Sequence, residues 1–226
     1  MDVVAERPQE GVRRVEETHW WFVTLRELVA QTTTSRHLPG SKVLDAGGGT
    51  SRVLAAIPDS YERVGVELDP AELLNLPFDD EYFEAAWSLD VLSDPRIPDE
   101  RAALRELRRV VRTDGTLVLN LPAPQAIFSA TGGGAGPARR YSAGQASELL
   151  TDAGFIPKWI GYRGACALPF VATSHLLGRK PEATEIHRPP ELVNRLLTSI
   201  GRWENQRARY GKLPFGLSVY AVSRAH

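Results

Sequence analysis

Three consecutive glycines follow an acidic residue at the end of a short apolar run, and this stretch is the most chemically informative part of the chain. Asp45 lies near the end of residues 42–46, and Gly47, Gly48 and Gly49 come directly after it. Glycines at a strand-to-helix turn let the backbone approach a ligand closely and adopt positive φ without a Cβ clash. The stretch therefore predicts a loop that binds a ligand through its backbone.

A second apolar run, residues 63–69, carries carboxylates at its end. Glu67 and Asp69 flank Leu68 there, downstream of the glycines. A glycine loop followed by an acidic strand end suits a nucleoside, which meets backbone at one end and a carboxylate at its ribose hydroxyls. Glycines also serve in ordinary tight turns, so Glu67 is the residue that favours the ligand over a purely structural turn.

Two later segments carry a resemblance to a known family. Residues 76–88 read LPFDDEYFEAAWS and resemble the approach to the fourth strand of class I S-adenosylmethionine-dependent methyltransferases, and 106–120, ELRRVVRTDGTLVLN, resemble the helix, turn and fifth strand that follow. With the glycine loop and the acidic strand end, four motifs occur in the family's order over residues 43–122. The resemblance implies a Rossmann-like α/β fold, a three-layer sandwich with a mostly parallel sheet. It also implies S-adenosylmethionine as cofactor and methyl transfer to an oxygen or nitrogen of a small molecule.

The resemblance also implies a set of cofactor-binding residues. Asp45, Gly47, Gly48 and Gly49 are expected at the methionine and sugar end, Glu67 with Leu68 at the ribose hydroxyls, and Leu89 with Asp90 along the cleft.

The N-terminal segment 16–22, EETHWWF, with Arg26 after it, resembles a helix of one bacterial subgroup that acts in sugar, cell-envelope or specialised metabolism. Such a helix could cover the cleft and exclude water, or its aromatic residues could simply pack against the sheet. His19 is a candidate general base, because its ordinary pKa near 6.5 suits proton removal at neutral pH. A lone histidine on an apolar helix face is more often structural.

Arg139, Arg140 and Tyr141 are expected on the substrate side. Arginines suit a phosphate or carboxylate on the substrate, although arginine pairs are commonly solvated surface. Tyr141 either orients a hydroxyl or plugs the top of the sheet. His19, Arg140 and Tyr141 are the candidate catalytic residues.

The chain departs from the family pattern between Asp69 and Leu76. The family has a helix, a third strand and an acidic residue there, and the segment present is too short for them. We therefore expect the third strand to be missing and the adenine side of the pocket to be shortened. This leaves two alternatives open: a non-methylating protein of the same fold, cyclase-like or substrate-binding, and a non-catalytic partner of another enzyme that docks through an exposed aromatic helix at 19–22.

The bulk composition narrows the class of protein. With 226 residues, one domain over 1–226 is expected, with a lid helix at 12–38, a cofactor-binding half at 41–121 and a substrate-side half at 122–226. A net charge of -1 gives no reason to expect nucleic acid or an anionic membrane. One cysteine and five scattered histidines predict no disulfide framework and no metal site. The absence of a signal-like or membrane-length apolar run predicts a cytoplasmic protein, with a homodimer or a partner enzyme left open.

Periodicity and capping signals predict the elements that position these residues. Helices are expected at 12–32, 51–56, after an Asp99 cap, from a Ser142–Gln145 capping box to Ala153 with Gly154 beyond it, and at 189–211. Strands are expected at 42–46, 63–69, 116–120, 155–161 and 217–222. The last helix shows an apolar face of Leu192, Leu196, Ile200 and Trp203, and Cys166 reads as a small core residue between two alanines.

Overall fold

The computed structural model describes residues 16–47, 53–66, 70–124, 139–169, 189–207 and 213–226. These residues form four α-helices and six β-strands. In chain order they are α1 (Trp20–Thr34), β1 (Lys42–Ala46), β2 (Glu62–Val66), β3 (Phe83–Leu89), α2 (Glu100–Val110), β4 (Val111–Pro122), α3 (Ala143–Asp152), β5 (Phe155–Arg163), α4 (Glu191–Arg207) and β6 (Ser218–Ala225). Short 3-10 helices lie at Leu54–Ala56, Pro70–Leu74, Val91–Ser93 and Ala165–Ala167.

The six strands form one sheet in the order β2-β1-β3-β4-β6-β5. The pairs from β2 to β4 are parallel, and β6 runs antiparallel to both of its neighbours, β4 and β5. The predicted mostly parallel sheet is confirmed. Within 70–82 the chain forms a 3-10 helix and turns but no strand, and among the described strands β2 is at the edge of the sheet.

Helices cover both faces of the sheet because successive strand residues point to opposite sides. In β1, Val43 packs toward the layer that contains Leu25 and Val29 of α1, while Leu44 packs toward the layer of α2 and α3. In β4, Val118 and Leu119 divide between the same two layers. The resulting three-layer sandwich is the architecture predicted from the sequence.

Local capping signals fix the ends of α2 and α3. The Asp99 carboxylate accepts hydrogen bonds from the backbone N–H groups of Arg101 and Ala102, at 2.9 and 3.0 Å. Ser142 and Gln145 form the predicted capping box, and Gly154 follows α3 with φ +87°. These interactions lie within a few residues of each other, which is why the sequence alone predicted them.

The N-terminal helix is shifted from its predicted bounds of 12–32. The structure describes a helical turn at 16–18 and then α1, which begins after His19; residues 12–15 lie outside the described part. Of the predicted helix at 51–56, residues 53–56 are described and form a turn and the 3-10 helix Leu54–Ala56.

The apolar face that the sequence shows on α4 is not the face that packs against the rest of the protein. Leu192, Leu196 and Trp203 are 81%, 60% and 54% exposed, whereas the face that packs inward carries Asn194, Leu197, Gly201, Glu204 and Asn205.

The hydrogen bonds that buried backbone groups require explain this orientation of α4. The Asn194 amide accepts from the N–H of Trp20 at 2.9 Å and donates to the carbonyl of Thr18 at 2.7 Å. The two Glu204 oxygens accept from the N–H groups of Gly164 and Cys166 at 2.9 and 2.7 Å. Buried backbone N–H groups without partners are costly, so these contacts outweigh the burial of three apolar side chains.

Cys166 is also placed differently from its prediction as a core residue. It is exposed, while Ala167 next to it is buried. The 3-10 helix at Ala165–Ala167 turns the two side chains to different sides, a local conformation that the small-residue composition did not reveal.

Substitutions on the two faces of α4 should have opposite consequences for stability. We expect Leu196→Ser to change the free energy of unfolding by less than about 0.5 kcal/mol, because the side chain is largely exposed. Asn194→Ala should cost about 1–3 kcal/mol, because it leaves the Trp20 N–H without its acceptor. Urea unfolding of both variants measures the difference, and a larger loss for Leu196→Ser would contradict the observed orientation.

Candidate functional site

The carboxyl ends of the parallel strands meet at one edge of the sheet. Ligands of open α/β sheets bind outside this edge, where the strand order reverses direction. Here the chain passes from β1 to β2 on one side and then returns to β3 on the other, so the reversal lies between β1 and β3. Asp45 lies near the end of β1 and Gly47 just beyond it, while Leu89 ends β3 and Asp90 follows it, so the structure brings these four predicted residues to one crevice.

Asp45 is buried without a partner. Its side chain is 1% exposed, and neither carboxylate oxygen makes a well-formed hydrogen bond to any residue that the structure describes; the Trp87 indole, itself without a partner, lies close enough to interact with it. Burial raises the pKa of Asp45 to about 7, and the indole of Trp87, its neighbour on β3, offsets only part of that rise. A buried polar group without a hydrogen bond costs free energy, which a ligand that donates to this carboxylate would recover.

Gly47 brings two loops of the crevice into contact. It has φ +88°, and a Cβ atom at this position would lie 2.9 Å from both γ-carbons of Val91. A side chain therefore has no room here, and the backbone after β1 runs directly against the 3-10 helix after β3. Gly48, Gly49, Glu67 and Leu68, the other predicted cofactor residues, lie outside the part of the chain that the structure describes.

Asp90 closes the crevice on the β3 side in a strained backbone conformation. Its φ and ψ are +63° and 2°, in the left-handed region that non-glycine residues adopt only at a cost. Its Oδ1 accepts from the Asn120 side-chain amide at 2.8 Å. Burial raises the pKa of Asp90 to about 6, although the Asn120 hydrogen bond and the charge of Arg163 oppose the rise. Leu89 beside it is half-buried.

Asn120 and Ser218 are site residues that the sequence analysis missed. The Ser218 hydroxyl donates to Asn120 Oδ1 at 2.9 Å, which orients the amide so that its NH2 group faces Asp90. The available signal was a polar residue near the end of one β-rich run, at 120, and another near the start of the last run, at 218. Only the antiparallel position of β6 beside β4 shows that the two residues meet.

His19 caps α1. Its Nδ1 accepts from the backbone N–H of Trp21 at 3.2 Å, and its buried ring lies 5.8 Å from the rings of Trp20 and Phe22. Trp20 is buried against Ala167 and Leu197, so the expected exposed aromatic surface at 19–22 is wrong for His19 and Trp20. The general-base role of His19 stays a prediction.

Arg140 and Tyr141 line a cavity of about 440 Å³ beside the starts of α2 and α3. The Tyr141 hydroxyl is buried and lies within hydrogen-bond distance of the Leu92 carbonyl, at 3.1 Å, and of the Glu100 carboxylate. Burial and then Glu100 raise the pKa of Tyr141 above its usual value. Arg140 Nη1 donates to the Ala123 carbonyl at 3.2 Å. Tyr141 therefore closes this end of the sheet. None of the described residues that line the cavity belongs to the crevice between β1 and β3.

A third missed residue is Arg163, at the carboxyl end of β5. Its side chain is 4% exposed, and its Nε and Nη1 have no hydrogen-bond partner among the described residues. The signal in the sequence was an arginine between a β-rich run and small residues, which the sequence analysis did not single out.

Comparison with known proteins agrees with this architecture. Residues 44–119, roughly a third of the chain, match a family described as "Methyltransferase domain". This match covers β1, β3 and the described residues of the crevice between them. A 2-methyl-6-phytyl-1,4-hydroquinone methyltransferase from Synechocystis sp. is 32% identical over 103 residues, which are 36% of this chain. The chain spans about a third of that relative, 32% of its length.

Solved structures with the same fold cover most of the chain. A methyltransferase in complex with the Trm112 methyltransferase activator of Haloferax volcanii superposes with a TM-score of 0.57 at 16% identity, covering 96% of this chain and 94% of that one. The geranyl diphosphate C-methyltransferase of Streptomyces coelicolor A3(2), in complex with Mg²⁺, geranyl diphosphate and S-adenosyl-L-homocysteine, superposes with a TM-score of 0.53 at 13% identity, covering 90% and 77%.

The chain therefore has the Rossmann-like methyltransferase fold. For S-adenosylmethionine, the cofactor that the sequence predicts, the fit rests on the hydrogen-bonding capacity that the buried Asp45 carboxylate has left, whereas the space beside Gly47 is filled by Val91. Within the described ranges, no helix has the length and apolar character needed to cross a membrane, and no group of three or more metal-ligating side chains occurs.

The buried carboxyl of Asp45 should make stability depend on pH in the ligand-free protein. Its folded-state pKa of about 7 lies above the ordinary value of 3.8, so the folded chain holds a proton that the unfolded chain releases. Stability from this group is present below pH 4 and is lost as the pH rises through 7, by roughly 1 kcal/mol per pH unit. Relative to wild type, Asp45→Asn should gain about 2 kcal/mol of stability between pH 5 and pH 7.

Urea unfolding at pH 5, 6 and 7 measures this difference. For Asp90→Asn, the difference in stability from wild type should stop growing near pH 6, because the pKa of Asp90 is about 6. A difference between Asp45→Asn and wild type that does not change with pH would show that Asp45 is not the group that holds the proton.

Proposed function

We propose that this chain transfers a methyl group from S-adenosylmethionine to an oxygen or nitrogen of a small molecule. The observation that carries the proposal is the crevice between β1 and β3, with a buried, unpartnered carboxylate at Asp45 and a glycine at 47 that admits no side chain. The cofactor supplies an electrophilic methyl group on its sulfonium. The protein's main work is then to align the acceptor and to exclude water.

Different residues are proposed to bind different parts of the cofactor. Asp45 with the loop of Gly47, Gly48 and Gly49 binds the methionine and sugar end, and Glu67 with Leu68 binds the ribose hydroxyls. Leu89 and Asp90 line the cleft. The support for Asp45 is its free hydrogen-bonding capacity, since every donor that the cofactor offers there replaces a missing interaction.

Asp90 is also placed to take the proton that an oxygen or nitrogen acceptor loses. Its pKa of about 6 lies close to neutral pH, where a general base is most effective. The Asn120 amide holds Oδ1, which leaves Oδ2 for the acceptor. His19 and Arg140 remain proposed substrate-side residues, with the helix at 12–38 as a lid and 122–226 as the substrate-side half.

The acceptor is proposed as a metabolite such as a sugar, a cell-envelope component or a specialised metabolite. A phenolic acceptor belongs to the same range, since the Synechocystis relative is named for a hydroquinone. Location in the cytoplasm and a homodimeric or partner-bound state remain proposals of the same kind.

The edge position of β2 favours a second candidate. With no strand beside β2 in the described residues, the adenine side of the crevice is open. A non-methylating protein of this fold, or a non-catalytic partner of another enzyme, would tolerate that opening.

Calorimetric titration with S-adenosylhomocysteine tests the proposal, and two glycines offer a matched pair. Gly47 and Gly40 both have positive φ, +88° and +92°, but a Cβ atom would clash with Val91 only at Gly47. Replacing either by alanine should cost about 1 kcal/mol of stability through backbone strain. Only Gly47→Ala should weaken binding, by about tenfold or more, because the loop must move away from Val91.

Micromolar binding to wild type that survives in Gly40→Ala and falls in Gly47→Ala supports the proposed site. If wild type binds neither S-adenosylhomocysteine nor S-adenosylmethionine, methyl transfer is excluded and the second candidate is favoured. Equal losses in both variants would move the site away from the loop after β1.

Glu67 can be tested against a second glutamate of the same run. Removing a carboxylate that accepts hydrogen bonds from ribose should cost about 2 kcal/mol, or roughly thirtyfold in affinity. We expect Glu67→Ala to show this loss for S-adenosylhomocysteine, and Glu62→Ala, at the exposed start of β2, to bind as wild type does. Normal binding by Glu67→Ala would remove Glu67 from the proposed site.

A further inference from the structure

Arg163 is a buried cation whose hydrogen-bonding groups are only partly used. Its Nη2 donates to Thr24 Oγ1 at 3.0 Å, while Nε and Nη1 have no partner in the part of the chain that the structure describes. The Thr24 hydroxyl donates in turn to the Trp20 carbonyl at 2.9 Å, so its oxygen is free to accept from Arg163. A guanidinium withdrawn from water normally has all of its donors satisfied, because each unsatisfied donor carries a desolvation cost.

The carboxylates near Arg163 do not supply the missing acceptors. Both oxygens of Glu204 are used by the backbone N–H groups of Gly164 and Cys166, and Asp90 Oδ1 is used by Asn120. The negative charges of Asp90 and Glu204 oppose the effect of burial, which lowers the pKa of Arg163 to about 10. Arg163 therefore stays charged at neutral pH. Negative charges lie near it, but no described residue accepts a hydrogen bond from its Nε or Nη1.

The surroundings hold the guanidinium in one place. The ring of Trp21 lies 4.2 Å from Cζ of Arg163, in the geometry of a cation–π contact. Gly164 makes this possible, since a Cβ atom there would lie 2.9 Å from the Trp21 ring. On the backbone side, the Leu217 N–H donates to the Arg163 carbonyl at 2.8 Å, and Gly216 has no room for a Cβ atom against that carbonyl. Fixed donors of this kind lose little entropy when they bind a ligand.

The place of Arg163 in the sheet indicates which ligand it meets. β5 ends at the same edge as β1 and β3, but four strand spacings from β1, or about 19 Å at the usual 4.8 Å per strand. Asp90, after β3, lies between the two ends and interacts electrostatically with Arg163. A molecule that occupies the β1–β3 crevice therefore leaves the Arg163 end for a second molecule.

We propose that Arg163 binds an oxyanion, a carboxylate or phosphate, on the methyl acceptor. The inference rests on the proposed function for the identity of the second molecule. Arginine is the side chain best suited to oxyanions, because its planar donors match their oxygens and the hydrogen bonds are charge-assisted. The acceptor class is thereby narrowed to small molecules that carry an acidic group beside the methylated atom.

The Nε–H signal of Arg163 in a ¹H–¹⁵N spectrum gives a direct test, with sodium acetate and inorganic phosphate as probes. We expect a saturable shift with either anion, at about one tenth of the concentration that neutral acetamide needs. Arg109 is an internal control, because its Nε already donates to Glu106 Oε2 at 2.9 Å and should not move. Through-bond correlation assigns both signals, so no variant has to fold.

The other outcomes separate this inference from the proposed function. No shift, a shift that grows linearly without saturation, or an equal response to acetamide would overturn the Arg163 site. If S-adenosylhomocysteine alone shifts the signal and then blocks acetate, the oxyanion belongs to the cofactor and the assignment to the acceptor is wrong. If acetate binds at Arg163 while calorimetry shows no S-adenosylhomocysteine binding, the proposed function fails and the anion site remains.

Arg163→Lys adds a second readout. Lysine keeps the charge but has no Nε–H donor next to Trp21, so it should lose at least about tenfold in acetate affinity, measured by the acetate-dependent rise in melting temperature. Arg195→Lys, on the exposed face of α4, is the matched control and should behave as wild type. Equal acetate stabilisation in all three proteins would also overturn the inference.

Discussion

The parallel pairing of β1 with β3 is the constraint on which the candidate site depends. Its register sets Asp45 beside Trp87, so the carboxylate is withdrawn from water and left without a partner. The same register brings the two following loops together, where Gly47 packs against Val91 and Asp90 turns back in a left-handed conformation. A shift of one residue would send Asp45 to the opposite face of the sheet, because strand side chains alternate. The crevice is thus a direct product of strand pairing.

A second constraint is the hydrogen-bond demand of the polar groups where α1 and α4 meet. Asn194 satisfies the first N–H of α1, Asn205 donates to the Thr24 carbonyl at 2.8 Å, and Glu204 satisfies the turn after β5. Gly201 lets Thr24 approach, since a Cβ atom there would lie 2.9 Å from Thr24 Cγ2. Because Thr24 is the hydrogen-bond partner of Arg163, the polar face of α4 supports the guanidinium through α1.

Sequence signals predicted what depends on near neighbours. The Asp99 cap, the Ser142–Gln145 box and the position of Asp45 and Gly47 after β1 all follow from residues a few positions apart. The orientation of α4 does not, because its partner is Trp20, 174 residues away. Apolar periodicity favoured the face of Leu192 and Leu196, and only the folded chain reveals the backbone groups that draw the other face inward. The glycines at 48 and 49 and the carboxylate at 67 remain predictions from the sequence.

Asp45 and Arg163 share a property that neither the hydrophobic core nor the surface explains. Both are almost fully buried, both have hydrogen-bonding atoms without a partner among the described residues, and their ionised forms carry opposite charges. They could in principle satisfy each other, but three intervening strands keep them apart. A fold selected for stability alone would replace such groups with apolar ones, since a buried polar atom without a hydrogen bond costs free energy. A cleft that binds two polar ligands needs such groups at the two ends of one sheet edge. Each ligand then recovers a free-energy cost of burial that the ligand-free protein already carries.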